Sequence, residues 1–131
     1  MCGIFGTTLR YSRKVIEHKL ELMNFRGPDH TGIKEFDVSS DMKLTVGHVR
    51  LSILDLDSRS NHPFVYNEDI SIVFNGEVYN YKELKSQYLS DVTLRTTSDT
   101  EVICAMYEKF GADCVNYLNG MFAYVIYDSK N

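Results

Sequence analysis

The 131-residue sequence lacks several features that would assign it to a specialised class of protein. Its three cysteines include no CxxC pair and are odd in number, which argues against a disulfide framework and a zinc site. Fourteen basic and eighteen acidic side chains leave a formal net charge of −4, which argues against a nucleic-acid-binding surface. No apolar run is long enough to span a membrane, and no basic segment followed by an apolar one indicates a secretion signal. A cytoplasmic protein that binds neither nucleic acid nor membrane is expected.

Linkers and repeats are also absent. The sequence has only two prolines, no internal repeat and no low-complexity tract. A chain of this length is close to the usual size of a single domain. With 44% hydrophobic and 24% charged residues, the composition is that of a globular protein, so one domain over residues 1–131 is expected.

Three segments show the spacing and the end signals of α-helices. The last of them opens S-D-T-E, a capping box with Ser98 as the N-cap and Glu101 as the third helical residue. Apolar residues recur at helical spacing in each segment. The predicted helices cover Ser12–Phe25, Asn80–Tyr88 and Ser98–Phe110, and the core face of the last one comprises Val102, Ile103, Met106 and Phe110.

Five further segments are short, rich in β-branched and aromatic residues, and separated by polar or glycine breaks, which is typical of strands. Helices and strands do not alternate as in βαβ units, so the pattern predicts an α+β fold with mostly antiparallel sheets. A long loop with Pro63 near its centre is expected between Asp55 and Asp69. The predicted strands are residues 2–9, 31–38, 43–54, 70–79 and 121–128.

Cys2 directly follows Met1, so removal of that methionine would place a thiol and an α-amine on one residue. A thiol attacks a carbonyl carbon as the thiolate, and a base must therefore accept its proton. A free α-amine titrates close to neutral pH and is suited to that task, as in N-terminal nucleophiles. The position alone equally allows a cysteine that only packs in the first strand. Cys104 and Cys114 lie among apolar residues and are expected to be buried.

Charged side chains in two segments allow either a structural or a binding role. In NFRGPDHTG the Gly-Pro pair fits a helix end and a tight turn, and Arg26 and Asp29 fit an ion pair that braces the turn. In GHVRLSILDL, Arg50 lies within an apolar strand pattern and needs an anionic partner. That partner is either a protein carboxylate or a ligand carboxylate, which a guanidinium binds through two parallel hydrogen bonds.

Polar groups at two later positions also allow two interpretations. Asn75-Gly76 is a strong signal for a hairpin turn between two strands. An Asn amide and a Gly N–H can also converge on one oxygen as the donors of an oxyanion hole. Asp99, in the first turn of the third predicted helix, interacts favourably with the helix dipole, and its carboxylate is equally suited to holding an ammonium group.

In this order, the motifs resemble the class II glutamine amidotransferase domain, an N-terminal-nucleophile hydrolase. The RGPD and RLSI motifs resemble in particular the glutaminase domain of glutamine-dependent asparagine synthetases. The resemblance implies a layered αββα sandwich and identifies residues 1–131 as a glutaminase domain without a synthetase domain. The matching motifs, which extend over nearly the whole chain, are Cys2–Gly6, Arg26–Asp29, Arg50–Ile53, Asn75–Glu77, Tyr79–Asn80, Ser98–Glu101 and Leu118–Ala123.

The resemblance also implies a role for each matching residue. Cys2 attacks the side-chain amide carbon of L-glutamine, a thioester forms, and Asn75 and Gly76 stabilise the oxyanion. Arg50 holds the substrate α-carboxylate, and Asp99 holds the α-ammonium group. The implied glutamine pocket also includes Leu51, Ser52, Ile53, Leu54 and Glu77, the last beside the α-ammonium group, and the residues that support the pocket from behind are Arg26, Gly27 and Asp29.

The sequence departs from the family pattern at three places. Phe25 stands where the pattern has His, and Val49 stands where a polar residue often precedes RLSI; both are expected to tune activity. The chain ends at Asn131, where the family continues with further strands and an ATP-using synthetase domain, so C-terminal truncation relative to the family is expected. Neither an SGG-type loop nor a GxxxxGK loop occurs, so ATP and magnesium are expected only in a missing synthetase domain or partner.

The leading hypothesis is therefore a glutaminase, without a cofactor or metal site of its own, that supplies ammonia to an asparagine-synthetase-like amidation. Its expected partners are L-glutamine, a synthetase domain or subunit in cis or in trans, and a second copy in a homo-oligomer. One alternative is a non-catalytic, truncated glutaminase-fold module that binds glutamine or a protein partner. Another is an N-terminal-nucleophile hydrolase of a different amide, although Arg50 and Asp99 together favour a free amino acid.

Overall fold

The structure, a computed structural model, describes residues 2–53 and 55–131. Met1 and Leu54, both of which carry sequence predictions, lie outside the described residues. Within the described residues the chain forms, in order, β1 (Gly3–Thr7), α1 (Arg13–Glu21), β2 (His30–Asp37), β3 (Lys43–Arg50), β4 (Phe64–Val65), β5 (Ile70–Val78), α2 (Tyr81–Tyr88), α3 (Asp99–Phe110) and β6 (Gly120–Asp128), with short 3-10 segments at Asn24–Arg26, Ser58–Ser60 and Gly111–Tyr117.

The strands form two antiparallel sheets that pack face to face. Sheet 1 has the order β1-β3-β2, and sheet 2 has the order β4-β5-β6. Helix α1 covers the outer face of sheet 1, and helices α2 and α3 cover the outer face of sheet 2. The predicted αββα sandwich with antiparallel sheets is confirmed.

The alternation of side chains along β3 explains how the layers meet. Successive strand residues point to opposite faces. Val49 packs under α1 with Ile16 and Leu20, whereas Val46 packs between the sheets against Val73 of β5. His48 and Arg50 share the face of Val46, so β3 directs two polar side chains into the space between the sheets. The open end of this space is the candidate site.

Helix α3 begins as its capping box predicts. The Glu101 N–H donates to the Ser98 hydroxyl at 3.4 Å. The Glu101 carboxylate reaches further back than the Ser98 amide and accepts from the backbone N–H groups of Arg95 (3.1 Å) and Thr96 (2.6 Å). Of the predicted core face, Val102, Ile103 and Met106 are fully buried and Phe110 is partly buried.

Two local predictions are wrong, and one alternative that the sequence left open is excluded. Helix α1 ends at Glu21, four residues before Phe25, and a 3-10 turn follows it. The loop predicted after Asp55 contains the two-residue strand β4. The strand predicted over residues 70–79 is confirmed as β5, and the alternative of a hairpin turn at Asn75-Gly76 is excluded, because β5 continues through both residues and pairs with β6 from Ile70↔Asp128 to Val78↔Gly120. None of the described helices has the length and hydropathy that a membrane crossing requires.

Candidate active site

Cys2 lies at the open end of the sandwich, just before β1. The pairing of Gly3 with Val49 brings Cys2 next to the end of β3. The Leu51 N–H donates to Cys2 Sγ at 3.3 Å, and the thiol lies 3.7 Å from the Leu51 carbonyl oxygen. The sulfur is half-buried and is not part of a disulfide. The backbone of Leu51 thus holds the Cys2 thiol beside the end of β3.

The RGPD segment holds the backbone around Cys2 from behind. The Arg26 Nε–H donates to the Cys2 carbonyl oxygen at 2.9 Å. The Asp29 carboxylate accepts from the Ser52 N–H at 2.7 Å, and the Asp29 N–H donates to the Arg50 carbonyl oxygen at 3.0 Å. Arg26 and Asp29 thus bond to residues more than twenty positions away, and the expected local ion pair is the wrong interpretation.

Gly27 brings that segment into contact with β3. A Cβ at Gly27 would overlap the backbone of Val49 and Arg50. Any other residue here would push the RGPD segment away from the strand end that it supports. Of the two departures from the family pattern, Val49 is fully buried under α1 and Phe25 is 83% exposed. Neither side chain points into the cleft.

The Arg50 side chain is buried and held by the loop that follows β3. Its guanidinium donates to the Asn61 amide oxygen at 2.6 Å and to the carbonyl oxygens of Asp55 (2.5 Å) and Asp57 (3.2 Å). These contacts fix the guanidinium at the wall of the cleft, which Arg50 lines. A guanidinium at a cleft wall can bind a carboxylate through two parallel hydrogen bonds.

Asp55 anchors this loop to the segment before α3. It is the one non-glycine residue with a positive φ, 44°, in the part of the chain that the structure describes. Its carboxylate accepts from the Thr97 N–H at 2.9 Å and from Arg59 at 3.2 Å. Burial acts to raise the pKa of Asp55, but the hydrogen bonds from Thr97 and Arg59 outweigh it and lower the pKa to about 2. The loop that holds Arg50 is thus fixed by an ionised carboxylate.

Asn75 and Gly76 form the opposite wall, on β5. Gly76 has a φ of 150°, and a Cβ there would overlap the backbone of Met121 and Phe122 on β6. Glycine is therefore required at this position. The side-chain oxygen of Asn75 is buried and has no hydrogen-bond partner among the described residues. The amide is thus placed to bond to a ligand in the cleft.

Asp99 completes that wall at the N-terminus of α3. It is 4% exposed, and its carboxylate accepts from the Val78 N–H at 2.9 Å. Burial raises the pKa of this carboxyl, while hydrogen bonds from the backbone of Val78 and Thr100 act in the opposite direction. A cation bound beside Asp99 would favour its ionised form.

These residues surround one cleft of about 160 Å³. Of the predicted catalytic and substrate-binding residues, eight line it: Cys2, Arg50, Leu51, Ile53, Asn75, Gly76, Glu77 and Asp99. Ser52 does not line it, since its N–H is directed to Asp29, and Leu54 lies outside the described residues. Arg26, Gly27 and Asp29 lie behind the lining residues. The structure thus brings the predicted set together, and the individual roles remain predictions.

The sequence interpretation missed several lining residues. His48 lies two positions before Arg50 on the same strand face. The alternation of side-chain direction along β3 could therefore have identified it from the sequence. Ser60 and His62 come from the loop before β4, where no local pattern pointed to them. Tyr79 and Met121 form an exposed apolar rim together with Ile53. No group of three or more His, Cys, Asp or Glu side chains among the described residues is placed to hold a metal ion.

Comparison with known proteins agrees with this architecture. A relative from Methanocaldococcus jannaschii, described as a putative glutamine-hydrolysing asparagine synthetase 2, is 40% identical over 99% of this chain. The glutamine-hydrolysing asparagine synthetase B of Escherichia coli K12 is 34% identical over 99% of the chain, and amidase chyE of Penicillium rubens is 39% identical over 88% of it. The chain spans only 28%, 24% and 16% of the lengths of these relatives, respectively.

A solved structure shares the fold. The glutamine phosphoribosylpyrophosphate amidotransferase of B. subtilis, in complex with ADP and GMP, superposes with a TM-score of 0.74 over 98% of this chain and 35% of that chain. The sequence identity between them is 21%, so this likeness concerns the fold alone. The family model described as "Glutamine amidotransferase domain" matches residues 1–131. The chain belongs to the glutamine amidotransferase domain family and is homologous to the glutaminase half of asparagine synthetases.

Proposed function

We propose that this chain hydrolyses the side-chain amide of free L-glutamine to glutamate and ammonia. The observation that carries the proposal is that the Cys2 thiol, the Arg50 guanidinium and the Asp99 carboxylate line one cleft. A free amino acid carries one carboxylate and one ammonium group, so a cation and an anion beside a nucleophile match its charges. Membership of the glutamine amidotransferase family supports glutamine as the substrate.

The proposed reaction proceeds through a thioester on Cys2. The sulfur attacks the amide carbon of glutamine and forms the C–S bond, while the α-amine of Cys2 takes the thiol proton. The same amine then delivers this proton to the leaving nitrogen, the C–N bond breaks, and ammonia leaves. Water attacks the thioester with the amine as its base, which releases glutamate and restores the thiol.

Asn75 and Gly76 are proposed to stabilise the negative oxygen of the tetrahedral intermediates. Each donor in an oxyanion hole contributes about 3 kcal/mol to transition-state stabilisation. The rigid backbone of Gly76, packed against β6, holds its N–H in place before substrate binds. The Asn75 amide, whose buried oxygen has no partner among the described residues, supplies the second donor by turning its NH2 group to the substrate.

Arg50 and Asp99 are proposed to orient the two charged groups at the other end of glutamine. Arg50 binds the α-carboxylate, and Asp99 with the nearby Glu77 binds the α-ammonium group. Burial raises the pKa of Asp99, so a bound ammonium group offsets the unfavourable burial of the carboxylate. Replacing Arg50 by Gln or Asp99 by Asn is therefore expected to raise the KM for glutamine more than it lowers kcat.

Glutamate formation from glutamine tests the proposal. Purified wild-type protein should release glutamate and ammonia in equal amounts, and Cys2→Ala should release neither. Cys2→Ala should still bind glutamine in calorimetry, because Arg50 and Asp99 remain. A wild-type protein with a free Cys2 amine that binds glutamine without turnover would contradict the proposal and support a non-catalytic binding module.

The state of the N-terminus gives an independent test of the mechanism. Mass spectrometry of the active protein should show that Met1 has been removed, because only then is the Cys2 amine available as the base. A matched preparation that retains Met1 should be folded and inactive. Equal activity of the two forms would exclude the α-amine as the base.

We also propose that the ammonia is delivered to a synthetase domain or subunit, in cis or in trans, and that ATP and magnesium act there. Several relatives are described as glutamine-hydrolysing asparagine synthetases, and this chain spans only about a quarter of their length. Glutamine hydrolysis itself should then be unaffected by a metal chelator or by the removal of ATP. Loss of glutamate formation on chelation would contradict this division of roles.

A further inference from the structure

Two buried histidines lie against the cleft and have no role in the proposed reaction. His48 on β3 is 0% exposed, and His62 in the loop before β4 is 6% exposed. Their rings stack with centroids 4.4 Å apart, and both line the cleft. His48 belongs to sheet 1, and both rings hydrogen-bond to sheet 2. Together they connect the two walls of the site.

Both imidazoles bond to the backbone of one residue, Phe74 of β5. His48 Nε2 lies 2.8 Å from the Phe74 carbonyl oxygen. A carbonyl oxygen only accepts, so His48 carries its proton on Nε2. The Phe74 N–H donates to His62 Nδ1 at 3.3 Å, so His62 carries its proton on Nε2, which lies 3.4 Å from the Thr100 hydroxyl. The geometry thus places a proton on Nε2 of each ring and leaves Nδ1 of His62 unprotonated as an acceptor, while Nδ1 of His48 has no partner among the described residues.

These two side chains replace a neighbouring strand. Strand β4 pairs with β5 only at Phe64↔Ile72 and Val65↔Ser71, so it does not extend to the position opposite Phe74. The Phe74 N–H and C=O are directed to the histidines and not to β6. Without His48 and His62 both groups would be buried without a partner, which is unfavourable. Asn75 and Gly76 follow Phe74 directly along this strand.

A glycine on sheet 1 sets the position of His62. The loop that carries His62 crosses β2 at Gly32, where a Cβ would overlap the His62 carbonyl oxygen and touch Pro63. The close approach of the loop to the sheet places the His62 ring in a stack with His48 and within hydrogen-bond distance of the Phe74 N–H. The arrangement therefore depends on contacts between segments that are distant in the sequence.

We propose that His48 and His62 are positioning residues that fix the Phe74 peptide and thereby align the oxyanion donors Asn75 and Gly76. The inference rests on the proposed glutaminase function and extends it to residues that do not touch the reacting atoms. Oxyanion donors act in the transition state more than in the ground state. Misplacing them should therefore lower kcat and leave the KM for glutamine nearly unchanged.

Amide side chains of different length test each hydrogen bond separately. The NH2 group of Gln reaches the position of a histidine Nε2, and the oxygen of Asn reaches the position of Nδ1. At position 48, Gln preserves the donor to the Phe74 carbonyl and Asn does not reach it. At position 62, Asn preserves the acceptor for the Phe74 N–H and Gln displaces it. The four variants have the same polarity at each site, so only the reach of the side chain differs.

The expected order of the kcat values of the Gln and Asn variants is opposite at the two positions. His48→Gln should exceed His48→Asn, and His62→Asn should exceed His62→Gln, each by about tenfold, because one misplaced oxyanion donor reduces kcat by about 10²–10³ when lost completely. KM should change by less than about threefold, because the contacts that bind glutamine equally in the ground state and the transition state are unaffected. The exposed His18 of α1 provides the matched control, and His18→Gln and His18→Asn should both equal the wild type.

Nitrogen-15 spectra of the histidine rings give a readout that does not require turnover. Both rings of the wild-type protein should show a protonated Nε2 and an unprotonated Nδ1 at neutral pH. A protonated Nδ1 on either ring would overturn the inference, and so would equal kcat values for Gln and Asn at both positions. A rise in KM at constant kcat would also overturn it, because the histidines would then shape the glutamine pocket. Failure of the wild type to hydrolyse glutamine would instead refute the proposed function on which the inference rests.

Discussion

The two walls of the cleft are held in place by different kinds of contact. The sheet 1 wall, formed by Cys2, Arg50, Leu51 and Ile53, is held by the hydrogen bonds of the Arg26, Asp29 and Arg50 side chains. The sheet 2 wall, formed by residues 75–77 and Asp99, rests on the largest hydrophobic cluster, between β5 and the helices α2 and α3. We therefore expect a change in the sheet 1 wall to reduce the free energy of unfolding less than a change in the core behind the sheet 2 wall.

This difference follows from where the chain has regular structure. Strand β5 and helix α3 are long, and their apolar faces pack together with Ile72 and Ile103 almost fully buried. The sheet 1 wall is built where β3 ends and the backbone continues without a partner strand. There the backbone polar groups need side-chain partners, which Arg26 and Asp29 supply. A nucleophile and a cation are thereby placed by polar contacts, which act over short distances and in defined directions.

The largest predicted effect is on the sheet 2 wall. Ile103→Ala should reduce the free energy of unfolding by about 2–5 kcal/mol, because it leaves a cavity in the largest core. At a temperature where the variant is folded, its kcat for glutamine should remain close to the wild-type value. Urea unfolding and steady-state kinetics measure the two quantities, and Leu9→Ala at an exposed position is the control. An unchanged stability would show that this wall does not depend on the core.

The second prediction concerns the histidines between the walls. Burial lowers the pKa of His48 to about 4, and the hydrogen bond to Phe74 opposes this only in part. Burial also lowers the pKa of His62, with His48, Arg50 and His30 as further causes. The unfolded chain therefore binds more protons than the folded one below pH 6.5, so stability should fall as the pH drops from 6.5 towards 4.

For His48 alone the loss over this range is on the order of 3 kcal/mol. Urea unfolding at several pH values measures it, and His48→Gln should show a shallower dependence than the wild type. A variant that keeps the full pH dependence would show that other groups account for it.

The third prediction concerns the sheet 1 wall. Asp29→Ala removes the acceptor of the Ser52 N–H and should reduce stability by only about 1–2 kcal/mol. The kcat/KM for glutamine should fall by about tenfold or more, because the backbone next to Arg50 and Cys2 loses its support. Asp29→Asn, which retains an acceptor oxygen, should recover much of the activity. Equal losses in the two variants would point to the charge of Asp29 and not to its hydrogen bond.

The smallest predicted effect is at the N-terminus of α3. Ser98→Ala removes the side-chain acceptor of the Glu101 N–H and should reduce stability by about 1 kcal/mol. Ser98→Asp keeps an acceptor and should be closer to the wild type. Thermal unfolding measures the difference. A loss much larger than this would show that Ser98 also positions Asp99, its neighbour in the sheet 2 wall.

Local signals predicted those elements whose cause is local. The capping box at Ser98 placed the start of α3 within one residue, because the cap bonds lie within the first turn. Helix α1 was predicted too long because Met23 continues the apolar helical spacing. The helix ends earlier because Pro28 and the contact of Gly27 with β3 require a non-helical backbone there. The two-residue strand β4 is too short to show any periodicity. The candidate site residues were identified through the order of their motifs, and none of them through spacing alone.

The sequence by itself determined the α+β class, the antiparallel strands, the start of α3 and the set of polar residues worth considering. Only the tertiary structure decided that no hairpin turn forms at Asn75-Gly76, that Arg26 and Asp29 support Cys2 and Ser52, and that His48 and His62 bond to Phe74. The physical reason is the range of the interactions. Propensities and caps act within a few residues, whereas β5 pairs with a strand more than forty residues downstream, and that pairing overrides a local preference for a turn.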